Sequence, residues 1–221
     1  MQKIIVTIFK VLRRIDVYCS GAVNQLLCKI LFYIKNVQHA NFKTEGLPYV
    51  SIATGGTCVI GSGLDMNNTL SSNPIGRPQP CVFFVDKNAQ LIIGSNVGMS
   101  QAALICHSSI TIGNDVKLGG GVCVYDTDFH SIIPEIRKSP ALDLANRIKK
   151  PVIISDNAFI GAHSTILKGV TIGKNSVVGA CSLVTKDIPD NQVWAGNPAK
   201  LIKVLSEQEI VSSSQEQLSI V

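Results

Sequence analysis

Rings are scarce in this sequence: only 5% of its 221 residues are aromatic, with one tryptophan, although 46% are hydrophobic. An interior of that size without rings must be filled by Val, Ile, Ala and Gly, which points to a narrow, repetitive core. Charge is sparse too, at 16%, and the net +5 carries no basic stripe interleaved with aromatics, so a nucleic-acid partner is not expected. The mild positive balance suits an anionic small ligand or an acidic membrane surface. No CxxC pair occurs among the seven cysteines (Cys19, Cys28, Cys58, Cys81, Cys106, Cys123, Cys181). Such an odd, irregular set reads as reduced, buried small residues of a cytoplasmic protein. The uncharged run between Asp16 and Lys29 is too short to cross a bilayer. No secretory leader is expected, because Lys10, Arg13 and Arg14 break the apolar stretch Ile4–Phe9 and no small-residue cleavage site follows.

What is present divides the chain in three. Residues 1–49 hold apolar residues at helical spacing (Ile5, Ile8, Leu12, Ile15, Cys19, Ala22, Leu26), followed by a linker containing His39. Ser20-Gly21 is expected to split this region into two amphipathic helices. Lysines and arginines decorate residues 3–36. The region either packs on the domain or a partner subunit, or lies peripherally at the inner face of the membrane.

From about residue 50 the period changes to six. Ile154, Ile160, Ile166, Ile172, Val178 and Val184 are all aliphatic and branched, while Ala158, Ser164, Val170, Ser176 and Ser182 are slim. One bulky and one slim inward residue per six is the mark of a β-solenoid. A second run holds the phase through Ile112, Leu118 and Val124, and a third, offset by one, passes through Ile93, Met99 and Ile105. A Pro-rich excursion interrupts at 73–80. After residue 204, the tail 205–221 opens with a capping-box pattern, Ser206 to Glu209, which predicts a short helix and then disorder.

The segment "FIGAHSTILKGVTIGKNSVVGACSLVTKDIPDNQVWAGNPAKLIK" (159–203), together with "ITIGNDVKLGGGVCVYDTDFH" (110–130), resembles the hexapeptide-repeat acyltransferases. The similarity is to the branch holding maltose, galactoside and polysaccharide O-acetyltransferases. It implies an all-β fold, a left-handed parallel β-helix over 50–204 with three hexads per coil, assembled as a homotrimer. It also implies acetyl-CoA as co-substrate, no metal requirement and a small-molecule or glycan acceptor. Stacked coils hydrogen-bond to one another and leave two exposed ends, and the N-terminal helices are the natural cover for one.

The repeat fails at "VYDTDFHSI" (124–132). Continued past Val124, the phase would place Asp128 and then His130 inward, and an unpaired buried carboxylate is too costly. The coil is therefore expected to open, with residues 131–151 leaving as a loop before the repeat resumes near Val152. By resemblance His130 is the catalytic histidine, the general base toward an acceptor hydroxyl, a task suited to imidazole chemistry. Asp126 or Asp128 is the candidate to orient it. Ser100 stands where the sugar acetyltransferases carry an acceptor-positioning Asn. The resemblance also places Phe159, Ala162, Ala180 and Thr185 along the donor groove, with Lys200 and Lys203 meeting its 3′-phosphate.

Three other readings stay in play. One is acetyl transfer to a small serine- or xenobiotic-type hydroxyl or an amino sugar. The others are a non-catalytic scaffold and a zinc hydratase of the carbonic-anhydrase kind. For the last, His107, His130 and His163 lack that family's tight histidine pairing.

Overall fold

The computed structural model describes residues 2–210, and residues 2–5, 8–9 and 11–19 by their backbone alone. The chain opens with one continuous helix, α1 (Gln2–Ile34). The expected division at Ser20-Gly21 does not occur. A lone helical glycine costs only about 1 kcal/mol, and nothing lies within 4 Å of where a Gly21 Cβ would stand, so no packing forces a break.

The solenoid begins at Gln38, earlier than the repeat announces. Residues Gln38–His39, Phe42–Glu45 and Tyr49–Ile52 already form three strands, which pair in parallel with Val59–Ile60, Leu64–Asn67 and Val82–Val85. His39 therefore lies in the first coil rather than in a linker. The last turns of α1 cover that coil: Cys28 and Phe32 are buried, Gln25 Nε2 donates to the Phe42 carbonyl at 2.8 Å, and the Phe32 and Phe42 rings lie 5.0 Å apart. Carbonyls and aliphatic edges that an open coil would expose are thereby shielded.

Among the described residues, three sheets of six, eight and six strands stack around the core. The strands of these sheets all pair in parallel except the last, where Lys200–Val204 runs back along Gln192–Ala195 and closes the second sheet. Every bulky position from Ile154 to Val184, and every slim one from Ala158 to Ser182, is at most 2% exposed. The residue after the bulky one turns the corner, where coils touch: a Cβ on Gly161 would meet the Ala180 nitrogen at 2.5 Å. At the corner between the first and second sheets, Asn157, Asn175 and Asn191 take positive φ near 60°. Their side chains hydrogen-bond up the edge, Asn157 to Asn175 at 3.0 Å and Asn175 to Asn191 at 2.7 Å.

The third phase needs correction at one residue. In the third sheet Leu104, not Ile105, aligns with Val124 and points inward. Met99 and Leu104 are five residues apart because the chain turns tightly at Gln101, which takes φ 49°. The following corner, from Leu104 to Ile112, is correspondingly longer. The cysteines follow burial, and burial pushes the thiols of Cys28, Cys58, Cys81 and Cys106 up to about 12. Cys181 is the exception, exposed at a corner, while the Cys19 side chain lies outside the described residues.

After Tyr125 the chain leaves the third sheet and returns to the first at Val152. The excursion carries two short helices, α2 (Pro134–Arg137) and α3 (Pro140–Ala145), each started by a proline in its first turn. Its base is closed by backbone hydrogen bonds from Asp128 to Ile148 at 3.1 Å and from Lys150 to Asp126 at 2.9 Å. At the other end, Ser206 and Glu209 form a reciprocal capping box and residues 207–210 are helical. The predicted disordered remainder of the tail lies outside the described residues.

Candidate active site

His130 stands where the excursion begins, with a side chain 69% exposed. Its Nδ1 lies 2.6 Å from Asp143 Oδ2, a residue of α3 thirteen positions further on. The second oxygen of the same carboxylate accepts the Ser131 N–H at 2.6 Å. Arg137 in turn donates to the Ser131 carbonyl at 2.8 Å, tying α2 to this turn. The imidazole contact first, then the Ser131 amide, hold the Asp143 carboxyl below its usual range against a smaller opposing effect of burial. A carboxylate can only accept, so Nδ1 is the donor, and the unprotonated Nε2 is the nitrogen free to act as a base.

The expected orienting acids are placed otherwise. Asp126 is fully buried and accepts the N–H groups of His107 at 2.7 Å and Ser108 at 2.6 Å. The core thus does take in a carboxylate, because the long corner after Leu104 supplies two backbone donors for it. Asp128 pairs with Lys168 at 2.5 Å, on the following coil. Neither has a hydrogen bond or ion pair to the His130 ring. Asp143 was missed because its partnership depends on a loop fold without hexad phase.

The other candidate residues fall at different edges of the same chain. Ser100 is 7% exposed, ends a strand of the second sheet, and accepts from Asn67 Nδ2 at 3.1 Å. Ala162 and Ala180 stack at the corner between the second and third sheets, where Cys181 N–H donates to the Ala162 carbonyl at 2.8 Å. Phe159 is exposed on the second sheet, and Thr185 is exposed just after the last strand of the third. Lys200 is exposed on the closing strand, and Lys203 beside it pairs with Glu209 at 2.5 Å. His130 occupies the corner between the third and first sheets. One chain therefore leaves His130 and the Ala162–Ala180 edge on opposite sides of the third sheet.

Of the remaining histidines, His107 pairs with Asp86 rather than facing solvent, and His163 sits at the second corner with φ 61°. Among the described residues no three potential metal ligands converge.

Residues 151–186 match the family model "Bacterial transferase hexapeptide (six repeats)". In fold the chain is a left-handed hexapeptide-repeat solenoid, and the curated relatives that it matches in part are named acetyltransferases. Over 106 residues it is 42% identical to the galactoside O-acetyltransferase of Lactococcus lactis subsp. lactis, covering 48% of each chain. It is 40% identical over 119 residues to the polysialic acid O-acetyltransferase of Escherichia coli O1:K1, covering 53% of this chain and 37% of that one. The chain thus spans about half or less of these relatives' lengths. In fold it is similar to the N-acyltransferase AntD from Bacillus cereus, solved with dTDP-4-amino-4,6-dideoxyglucose and coenzyme A. That match has a TM-score of 0.63 at 20% identity and covers 87% of this chain and 96% of the other.

Proposed function

We propose that the protein is an acetyl-CoA-dependent O-acetyltransferase acting on a sugar hydroxyl of a cell-surface polysaccharide or its lipid-linked precursor. The observation that carries this reading is the His130–Asp143 pair at an exposed solenoid corner, in a chain whose relatives include galactoside and polysialic acid O-acetyltransferases. Asp143 holds the ring and stabilises the cation that forms when Nε2 takes the acceptor's proton. The freed oxygen attacks the acetyl carbonyl carbon, and the tetrahedral oxyanion collapses with cleavage of the C–S bond. His130 then returns its proton to the departing thiolate, so the enzyme ends the cycle unchanged.

The working unit in this reading is a homotrimer. Support comes from the separation of His130 from the Ala162–Ala180 edge, which a neighbouring copy's edge would make good. Phe159, Ala162, Ala180 and Thr185 then line the donor, and Lys200 and Lys203 meet its 3′-phosphate. Ser100 belongs to the acceptor side of the neighbouring edge.

A cytoplasmic location, peripheral to the membrane, is part of the same reading. Val23, Leu26, Ile30 and Ile34 form an uncovered apolar stripe on α1, opposite buried Cys28 and Phe32, with Lys29 and Lys35 nearby. Among the described residues no helix is long and apolar enough to cross a membrane. An amino-sugar acceptor is the second reading, favoured by the AntD complex. A panel of sugars and amino sugars assayed for CoA release tests both. Release with hydroxyl acceptors supports O-transfer, release confined to amino sugars supports the second reading, and none with any sugar refutes both.

A further inference from the structure

At the same corner, across the two coils before His130, lies a second imidazole–carboxylate pair. His107 Nδ1 is 2.7 Å from Asp86 Oδ2. The same oxygen lies 3.7 Å from an Arg147 guanidinium nitrogen and 3.7 Å from Lys149 Nζ, both on the returning limb of the excursion. The side chains are 7% exposed for His107, 13% for Arg147 and 26% for Asp86, so this is a shielded network rather than a solvated surface pair.

The His107 ring also faces the outgoing limb. Phe129 packs against it edge-on with centroids 6.0 Å apart, and against Tyr125 at 5.2 Å. Phe129 immediately precedes His130 and takes φ 65°, a left-handed conformation unfavourable for a bulky residue. Such a conformation persists only where its surroundings impose it. Here they do: the ring is held between His107 and Tyr125, and the Phe129 N–H donates to Thr127 Oγ1 at 3.2 Å. His130 follows directly on that turn.

We infer that Asp86 and His107 are positioning residues for His130, clamping both limbs of the excursion to the two preceding coils. The outgoing limb is held through Phe129 on the imidazole, and the returning limb through Arg147 and Lys149 on the carboxylate. The inference rests on His130 being the base of the proposed transfer.

Asp86→Asn keeps the shape and removes the charge. Turnover should fall about 10- to 100-fold, the size of effect that a displacement near 1 Å brings, while KM for acetyl-CoA stays within about twofold. Asp86→Glu, which restores the charge, should recover most of the loss. In protein labelled with 15N-histidine, which carries four histidines, the His130 ring signals should shift or broaden in Asp86→Asn. Wild-type turnover with unmoved His130 signals would overturn the inference, as would a rate loss that vanishes when scaled to the folded fraction. His130→Ala separates the premise: if that variant still turns over, both fail; if it is inactive while Asp86→Asn is normal, only the positioning role fails.

Discussion

The Asp143 carboxylate bridges His130 Nδ1 and the Ser131 amide, each at 2.6 Å, so one side chain fixes both the ring and the backbone that carries it. Asp143→Asn preserves the shape but turns a pure acceptor into a group that is half donor. The ring can then adopt the wrong tautomer, with a proton on Nε2. Turnover should drop by about 100-fold or more, as when a triad acid is neutralised, while the acetyl-CoA dissociation constant stays unchanged. Steady-state kinetics beside calorimetric titration check this.

Acid should loosen the same contact. The folded Asp143 carboxyl titrates below its ordinary 3.8. Its contribution to stability is therefore complete above that pH and is lost as pH falls below it, through the folded value. Protection of the Ser131 amide, taken relative to its intrinsic exchange rate at each pH, should fall below pH 3.8 before the hexad core opens.

Asp126→Ala should act on stability rather than on chemistry alone. It leaves the His107 and Ser108 amides without acceptors inside the corner. At about 1–3 kcal/mol for each orphaned donor, the cost is about 2–6 kcal/mol, read as a lowered denaturant midpoint. By comparison, Ile166→Ala in the fully buried column should cost about 2–5 kcal/mol by leaving a cavity.

The two lysines proposed to meet the donor phosphate should behave differently. Lys203 is engaged by Glu209, whose pKa that contact drives down to about 2, whereas Lys200 is exposed and has no ion pair among the described residues. Lys200→Ala should weaken acetyl-CoA binding about tenfold, the loss of one charge-assisted hydrogen bond. Lys203→Ala should cost less, and Glu209→Gln should tighten binding by releasing Lys203. Calorimetric titration of the three variants decides the order.

The periodic part of the fold was legible because each hexad residue answers to one local demand, and Ile154 to Val184 met it without exception. The first coil escaped notice because its strands, at Phe42–Glu45 and Tyr49–Ile52, are joined by irregular turns and covered by Phe32 rather than marked by a repeat. Leu104 was displaced by one residue where Gln101 shortens a corner. At the site, His130 could be found because it ends a repeat, but its partner could not. Asp143 reaches it through two proline-started helices that have no periodicity, and Asp126 was misassigned because its two backbone donors are visible only in three dimensions.

Everything proposed about the chemistry turns on Nε2 of His130 taking a proton. The most direct test is CoA release from acetyl-CoA by His130→Ala, with the best sugar of the panel as acceptor. Loss of a general base should lower turnover by about 100- to 10,000-fold, with acetyl-CoA affinity and assembly unchanged. Turnover at the wild-type rate in that variant would contradict the account.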